Sequence, residues 1–107
     1  MIKEVLLMQL LSLEELKEFT ASEFIKKELA VTEHFKLLLV CFEPGQAVPP
    51  CIMERSTAFY IVEGRGLVSV SDQEYSVSVG SIILIEPDLA RQLKAETRLV
   101  VLAMQYE

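Results

Sequence analysis

Two sulfur side chains open the chemistry of this chain. Cys51 and Met53 stand two positions apart, so on an extended backbone they face the same side. A thiolate and a thioether together make a soft pair suited to Cu(I). The plainer alternative is core filling, because free cysteine and methionine are among the most buried residue types. Cys51 could also act as a nucleophile, which requires a neighbouring base or cation to lower its pKa. The one histidine, His34, falls in an expected turn, reads as a solvated surface residue and is not placed to shuttle protons. Gly64-Arg65-Gly66 is a GxG without a third glycine or a following helix, which is a weak phosphate-loop signal. No Ser-His-Asp or paired-carboxylate spacing appears.

The elements that would position these residues are mostly strands. Ser12 to Phe19 (SLEELKEF) carries the one good helix signal. Ser12 is a cap with Glu15 three positions on, and Leu13, Leu16 and Phe19 share a face. Ile2 to Leu11 extends this helix backwards or forms an entry strand. Beyond Ser22 the period changes to two. Strands are expected over Phe24–Ala30, Phe35–Phe42, Thr57–Glu63, Leu67–Val70, Tyr75–Val79, Ser81–Ile85 and Leu99–Gln105. Thr32–His34, Glu43-Pro44-Gly45, a hairpin connection Ser71–Glu74, Glu86-Pro87-Asp88 and Ala95–Thr97 are turns. Val48-Pro49-Pro50 must be extended and lie at a sheet edge or bend, since proline has no ladder donor. Short strands at such spacing indicate a sandwich or barrel.

With the turns in place, Gly45 to Arg91 resembles the cupin family. Its motifs are G-x5-H-x-H-x3-E-x6-G and G-x5-P-x-G-x2-H; Gly45, Gly64 and Gly80 fall at the matching positions, and Glu86 precedes a retained Pro87. The resemblance runs from about Phe35 to about Gln105. It implies an all-β antiparallel barrel or jelly roll with a short N-terminal helix, as one domain over 1–107. The arm and helix would occupy about 1–21 and the barrel about 22–106. It also implies where a divalent metal would be held, by three histidines and a glutamate. Here Cys51 and Met53 occupy the H-x-H positions, Thr57 the glutamate position and Arg91 the last histidine position, while Asp88 replaces a motif glycine. A threonine hydroxyl is a poor ligand, and an arginine stays protonated and cannot ligate. The resemblance therefore implies a cupin with no metal and no cofactor. An inward Arg91 would need a partner. Glu54, Glu86 or Asp88 could supply one, or the side chain could turn out to solvent. In the functional alternative it holds a carboxylate or phosphate bidentately.

The whole chain sets further bounds. One 107-residue domain is large enough for a core without staples. The hydrophobic fraction of 51% leaves material for a partner surface, and Phe59-Tyr60 and Ile82–Ile85 read as wall and dimer surface, so a homodimer is expected. A net charge of −6 argues against nucleic acid and anionic membrane as partners. Cys41 and Cys51 are too few for a disulfide framework, and a cytoplasmic setting is the default. The apolar run from Val5 to Leu13 is too short to span a bilayer, and it lacks a cleavage site. Two functions follow. One is a non-catalytic small-molecule-binding or regulatory module, its cavity lined by Cys51, Met53, Thr57, Phe59 and Arg91 and its ligand anionic. The other is a metal-cupin enzyme of dioxygenase or isomerase type using unconventional ligands. The first is favoured.

Overall fold

The computed structural model describes residues 9–107. One helical turn, α1 (Leu13–Leu16), precedes nine strands: β1 (Ile25–Val31), β2 (Phe35–Phe42), β3 (Ala47–Ile52), β4 (Ser56–Glu63), β5 (Arg65–Val70), β6 (Gln73–Ser78), β7 (Ile82–Ile85), β8 (Ala90–Ala95) and β9 (Leu99–Tyr106). They form two antiparallel sheets in the orders β1-β2-β9-β4-β7 and β3-β8-β5-β6. The chain crosses between the sheets repeatedly, which makes a jelly roll. The sheets do not close into a hydrogen-bonded barrel: β1 ends one and β3 ends the other. Pro49 and Pro50 lie on that β3 edge, where neither offers an N–H, and the β3–β8 register shifts across them, between Val48 and Cys51.

The main core fills the space between the sheets with inward residues at alternating positions, among them Phe42, Ile61, Val68, Leu99 and Val101. A second cluster lies on the outer face of the five-stranded sheet, where Leu13, Leu16 and Phe19 cover Leu39, Cys41 and Val100. This explains why Phe35–Phe42 reads as a continuous apolar run: β2 is packed on both faces over most of its length.

The helix is shorter than the expected 12–19. Ser12 caps it by accepting from the Glu15 N–H at 3.4 Å, but Lys17 already leaves helical geometry. One turn is not stable alone; tertiary contacts fix it. Lys27 Nζ donates to the Leu16 carbonyl at 2.9 Å, Lys17 pairs with Glu63, and the Arg98 guanidinium sits 4.0 Å over the Phe19 ring. The expectations for Ile2–Leu11 and for the run from Val5 fall largely on residues 1–8, outside the described residues; Gln9–Ser12 is neither helix nor strand.

One turn and one strand depart from expectation. The hairpin turn tightens to Ser71-Asp72, with Ser71 at φ 54° and Gln73 and Glu74 already in β6. β8 was not expected at all. Elsewhere the strand boundaries agree with expectation to within two residues. Gly64 stands at φ 83°, and a Cβ there would run into the Arg98 carbonyl oxygen. Only glycine meets both conditions. No helix among the described residues is long and apolar enough to cross a membrane.

Candidate functional site

Between the sheets, toward their unjoined edge, lies a cavity of about 150 Å³. All five residues singled out from the sequence line it: Cys51, Met53, Thr57, Phe59 and Arg91. Strand geometry brings them together. Thr57 and Phe59 are alternate inward residues of β4, 2% and 7% exposed. Cys51 on β3 is the register partner of Arg91 on β8, so both side chains point to the same face.

Arg91 is 4% exposed and points inward. Its guanidinium donates from Nε to the Leu89 carbonyl at 3.0 Å, from Nη2 to the Glu86 carbonyl at 3.2 Å, and from Nη1 to the Thr57 hydroxyl. The turn before β8 makes this possible. Asp88, in the motif's glycine position, takes φ 69°, a left-handed conformation that aspartate tolerates better than most residues. Its N–H donates to the Met53 carbonyl at 2.8 Å, which folds the 86–89 segment back over the site.

Neither alternative for a structural Arg91 holds. The side chain does not reach solvent, and it meets the backbone carbonyl of Glu86 rather than the carboxylate of Glu54, Glu86 or Asp88. Burial pulls the Arg91 pKa down from the ordinary guanidinium value. The pairing of the other cations makes this arginine unusual. Lys17, Lys27, Lys36, Arg55, Arg65 and Arg98 each pair with a carboxylate. Lys26, Arg91 and Lys94 pair with no described carboxylate, and two of those three line the cavity. Among the described residues no acidic side chain lines it.

Core filling does not describe Cys51, which is exposed; Met53 is half-buried. Cys51 and Lys26 are the exposed residues of the lining and belong to β3 and β1, one edge strand of each sheet, so the opening between those edges is the mouth. Bulky Met53, Phe59 and Arg91 do not plug the space; the cavity persists beside them. His34 is exposed in the turn after β1.

Three polar lining residues escaped sequence reasoning: Lys26, Gln92 and Gln105. One carried a usable signal, and another is placed only by the strand pairing. Gln105 shares the inward parity of Val101 and Ala103 on β9, so it is a polar residue placed where apolar ones are expected. Lys26 is opposite inward-facing Val40 in the β1–β2 register.

The residues at the family's ligand positions do converge, but they do not fit a divalent metal. Thr57 and Arg91 hydrogen-bond each other there, so the position of one carboxylate and one imidazole holds a hydroxyl and a fixed cation. A cation placed beside that guanidinium would be repelled in a poorly solvated site. Among the described residues no three His, Cys, Asp or Glu side chains cluster to hold an ion.

Comparison with known proteins gives the same architecture. A protein from Thermus thermophilus superposes with a TM-score of 0.86 at 20% identity, over 92% of this chain and 97% of that one. A cupin superfamily protein from Desulfitobacterium hafniense gives 0.84 at 17%, over 92% and 90%. A conserved protein of unknown function from Streptococcus pyogenes gives 0.83 at 14%, over 99% and 90%. At these identities the likeness is one of fold. No curated protein matches the sequence. The family model for the cupin domain matches residues 38–104, which span β2 to β9. This chain belongs to the cupin family.

Proposed function

We propose that this protein is a metal-free cupin that binds a small anionic molecule between its sheets and does not catalyse a reaction. One observation carries the reading: a buried arginine faces a cavity with no described carboxylate to neutralise it. Three of its five N–H groups are used within the protein, and two are left for a ligand. The excess negative charge of the chain does not extend to this lining, where Lys26 adds a second positive charge at the mouth. Such a pocket is concave and mostly apolar with few polar groups, the usual form of a small-molecule site.

A homodimer is part of the proposal. Tyr60, Ile82, Leu84 and Met104 are 36–70% exposed on the outer face of the five-stranded sheet, near its β7 edge. A second copy would cover them in an interface of roughly 800 Å² per partner. Two free thiols suit a reducing, cytoplasmic setting.

Native mass spectrometry of freshly purified, reduced protein tests both parts. A dimer that is bare or carries a small organic anion agrees with the proposal. One divalent metal ion per chain would overturn it in favour of an enzyme of dioxygenase or isomerase type.

A further inference from the structure

Accepting that the cavity takes an anion, its charge, walls and size narrow which one. Arg91 is the one buried cation among the described residues. A buried positive charge is satisfied by one negative charge, whereas a second would be left uncompensated in a poorly solvated place. Lys26 does not change this balance, because it is exposed at the mouth, where water and salt screen it. A singly charged group therefore fits better than a phosphate dianion.

Away from Arg91 most of the wall is apolar, with Leu38, Val40, Phe59, Leu93 and Ala103 around the space. The volume of about 150 Å³ equals that of an engineered apolar cavity that takes up benzene. It holds a body of one six-membered ring or a short branched chain. Gln105 supplies a second polar group at the charged end. It is the register partner of Thr57 across β4 and β9, half-buried, and its amide makes no hydrogen bond to a described residue.

We infer that the ligand is a small monocarboxylate with a compact apolar body. Its carboxylate sits on Arg91 and Gln105, and its body lies against Leu38, Phe59 and Leu93.

Isothermal titration calorimetry on the reduced full chain tests this with benzoate, benzyl alcohol, acetate and inorganic phosphate. Benzoate should bind at least roughly tenfold more tightly than benzyl alcohol, which lacks the charge-assisted hydrogen bond, than acetate, which lacks the apolar body, and than phosphate, which lacks that body and brings excess charge. Arg91→Lys keeps the charge but loses the fork, and should weaken benzoate by roughly tenfold or more. Gln105→Leu, a half-buried position, should weaken it several-fold while the ligand-free Tm stays within roughly 3 °C. Phosphate binding tighter than benzoate, with the same loss in Arg91→Lys, would overturn the monocarboxylate and leave the anion-binding reading standing. Benzyl alcohol matching benzoate, or no binding of any anion, would overturn both.

Discussion

Replacing Arg91 by methionine and Thr57 by valine, singly and together, measures how the buried guanidinium is held. Each hydrogen bond from a charged donor contributes about 1.5–3 kcal/mol, and Arg91 makes three, to Thr57, Leu89 and Glu86. Against this stands the cost of taking the guanidinium out of water with no described carboxylate beside it, which is several kcal/mol. The two nearly cancel. Arg91→Met should therefore lower stability by only about 1–2 kcal/mol, and most of that is the Thr57 hydroxyl, 2% exposed, left without its donor. Thr57→Val alone should cost about 1–3 kcal/mol, because it takes an acceptor from a buried charge. Together the two changes remove both partners and put apolar groups in their place, which is close to neutral. The double variant should thus recover about 1–3 kcal/mol relative to the sum of the single losses. Urea titrations followed by far-ultraviolet circular dichroism, with a common m value, supply the four stabilities. Additivity within about 0.5 kcal/mol would refute the coupling. A loss above about 4 kcal/mol for Arg91→Met would make the arginine a structural support and not a group held for a ligand.

Three further outcomes are expected. At pH 8, a thiol reagent should modify Cys51 at once and Cys41 only on unfolding, because Cys41 is 1% exposed and burial pushes its thiol pKa up; two fast equivalents would contradict this. Gly64→Ala should cost about 2–4 kcal/mol in urea titration, since a side chain there meets both a positive φ and the Arg98 carbonyl; a loss under about 1 kcal/mol would show that the turn gives way. The bidentate hydrogen bond from Arg98, at 3.0 Å to each oxygen, holds the Glu43 carboxyl below the ordinary glutamate range. A folded-state pKa below the unfolded one adds stability above the unfolded value, lost as the pH falls through the folded value. Glu43→Gln should therefore flatten the acid fall in stability from the ordinary glutamate range downward, and an unchanged slope would remove the ion pair from the explanation.

What the sequence disclosed followed the physics of each segment. Turn residues and a period of two located most strands. The motif spacing brought Cys51, Met53, Thr57 and Arg91 to one cavity, because it counts residues between fixed turns. β8 stayed hidden for a related reason. Its inward residues are Arg91, Leu93 and Ala95, beside half-buried Gln92 and exposed Lys94. The inward arginine that defines the site breaks the apolar alternation by which a strand is recognised. The partners of Arg91 were equally out of reach. Two are carbonyls of its own turn, and their direction depends on Asp88 adopting φ 69°. Sequence proximity suggested carboxylates instead. Lys26 and Gln105 come from strands at opposite ends of the chain, and only the β1-β2-β9 pairing places both beside the cavity. The opening at the β1 and β3 edges likewise depends on which strands end each sheet, although Pro49 and Pro50 marked one of those edges in advance.

The central claim, that Arg91 receives an anion in this cavity, is tested most directly by the side-chain resonances of arginine. In a nitrogen–proton correlation spectrum, the Arg91 Nε–H, bonded to the Leu89 carbonyl, should exchange slowly with water and be identified by its loss in Arg91→Met. Titration with benzoate should shift that resonance progressively to saturation, while the exposed Arg65 and Arg98 stay in place. An Arg91 resonance that does not move, with shifts confined to exposed arginines, would contradict the claim.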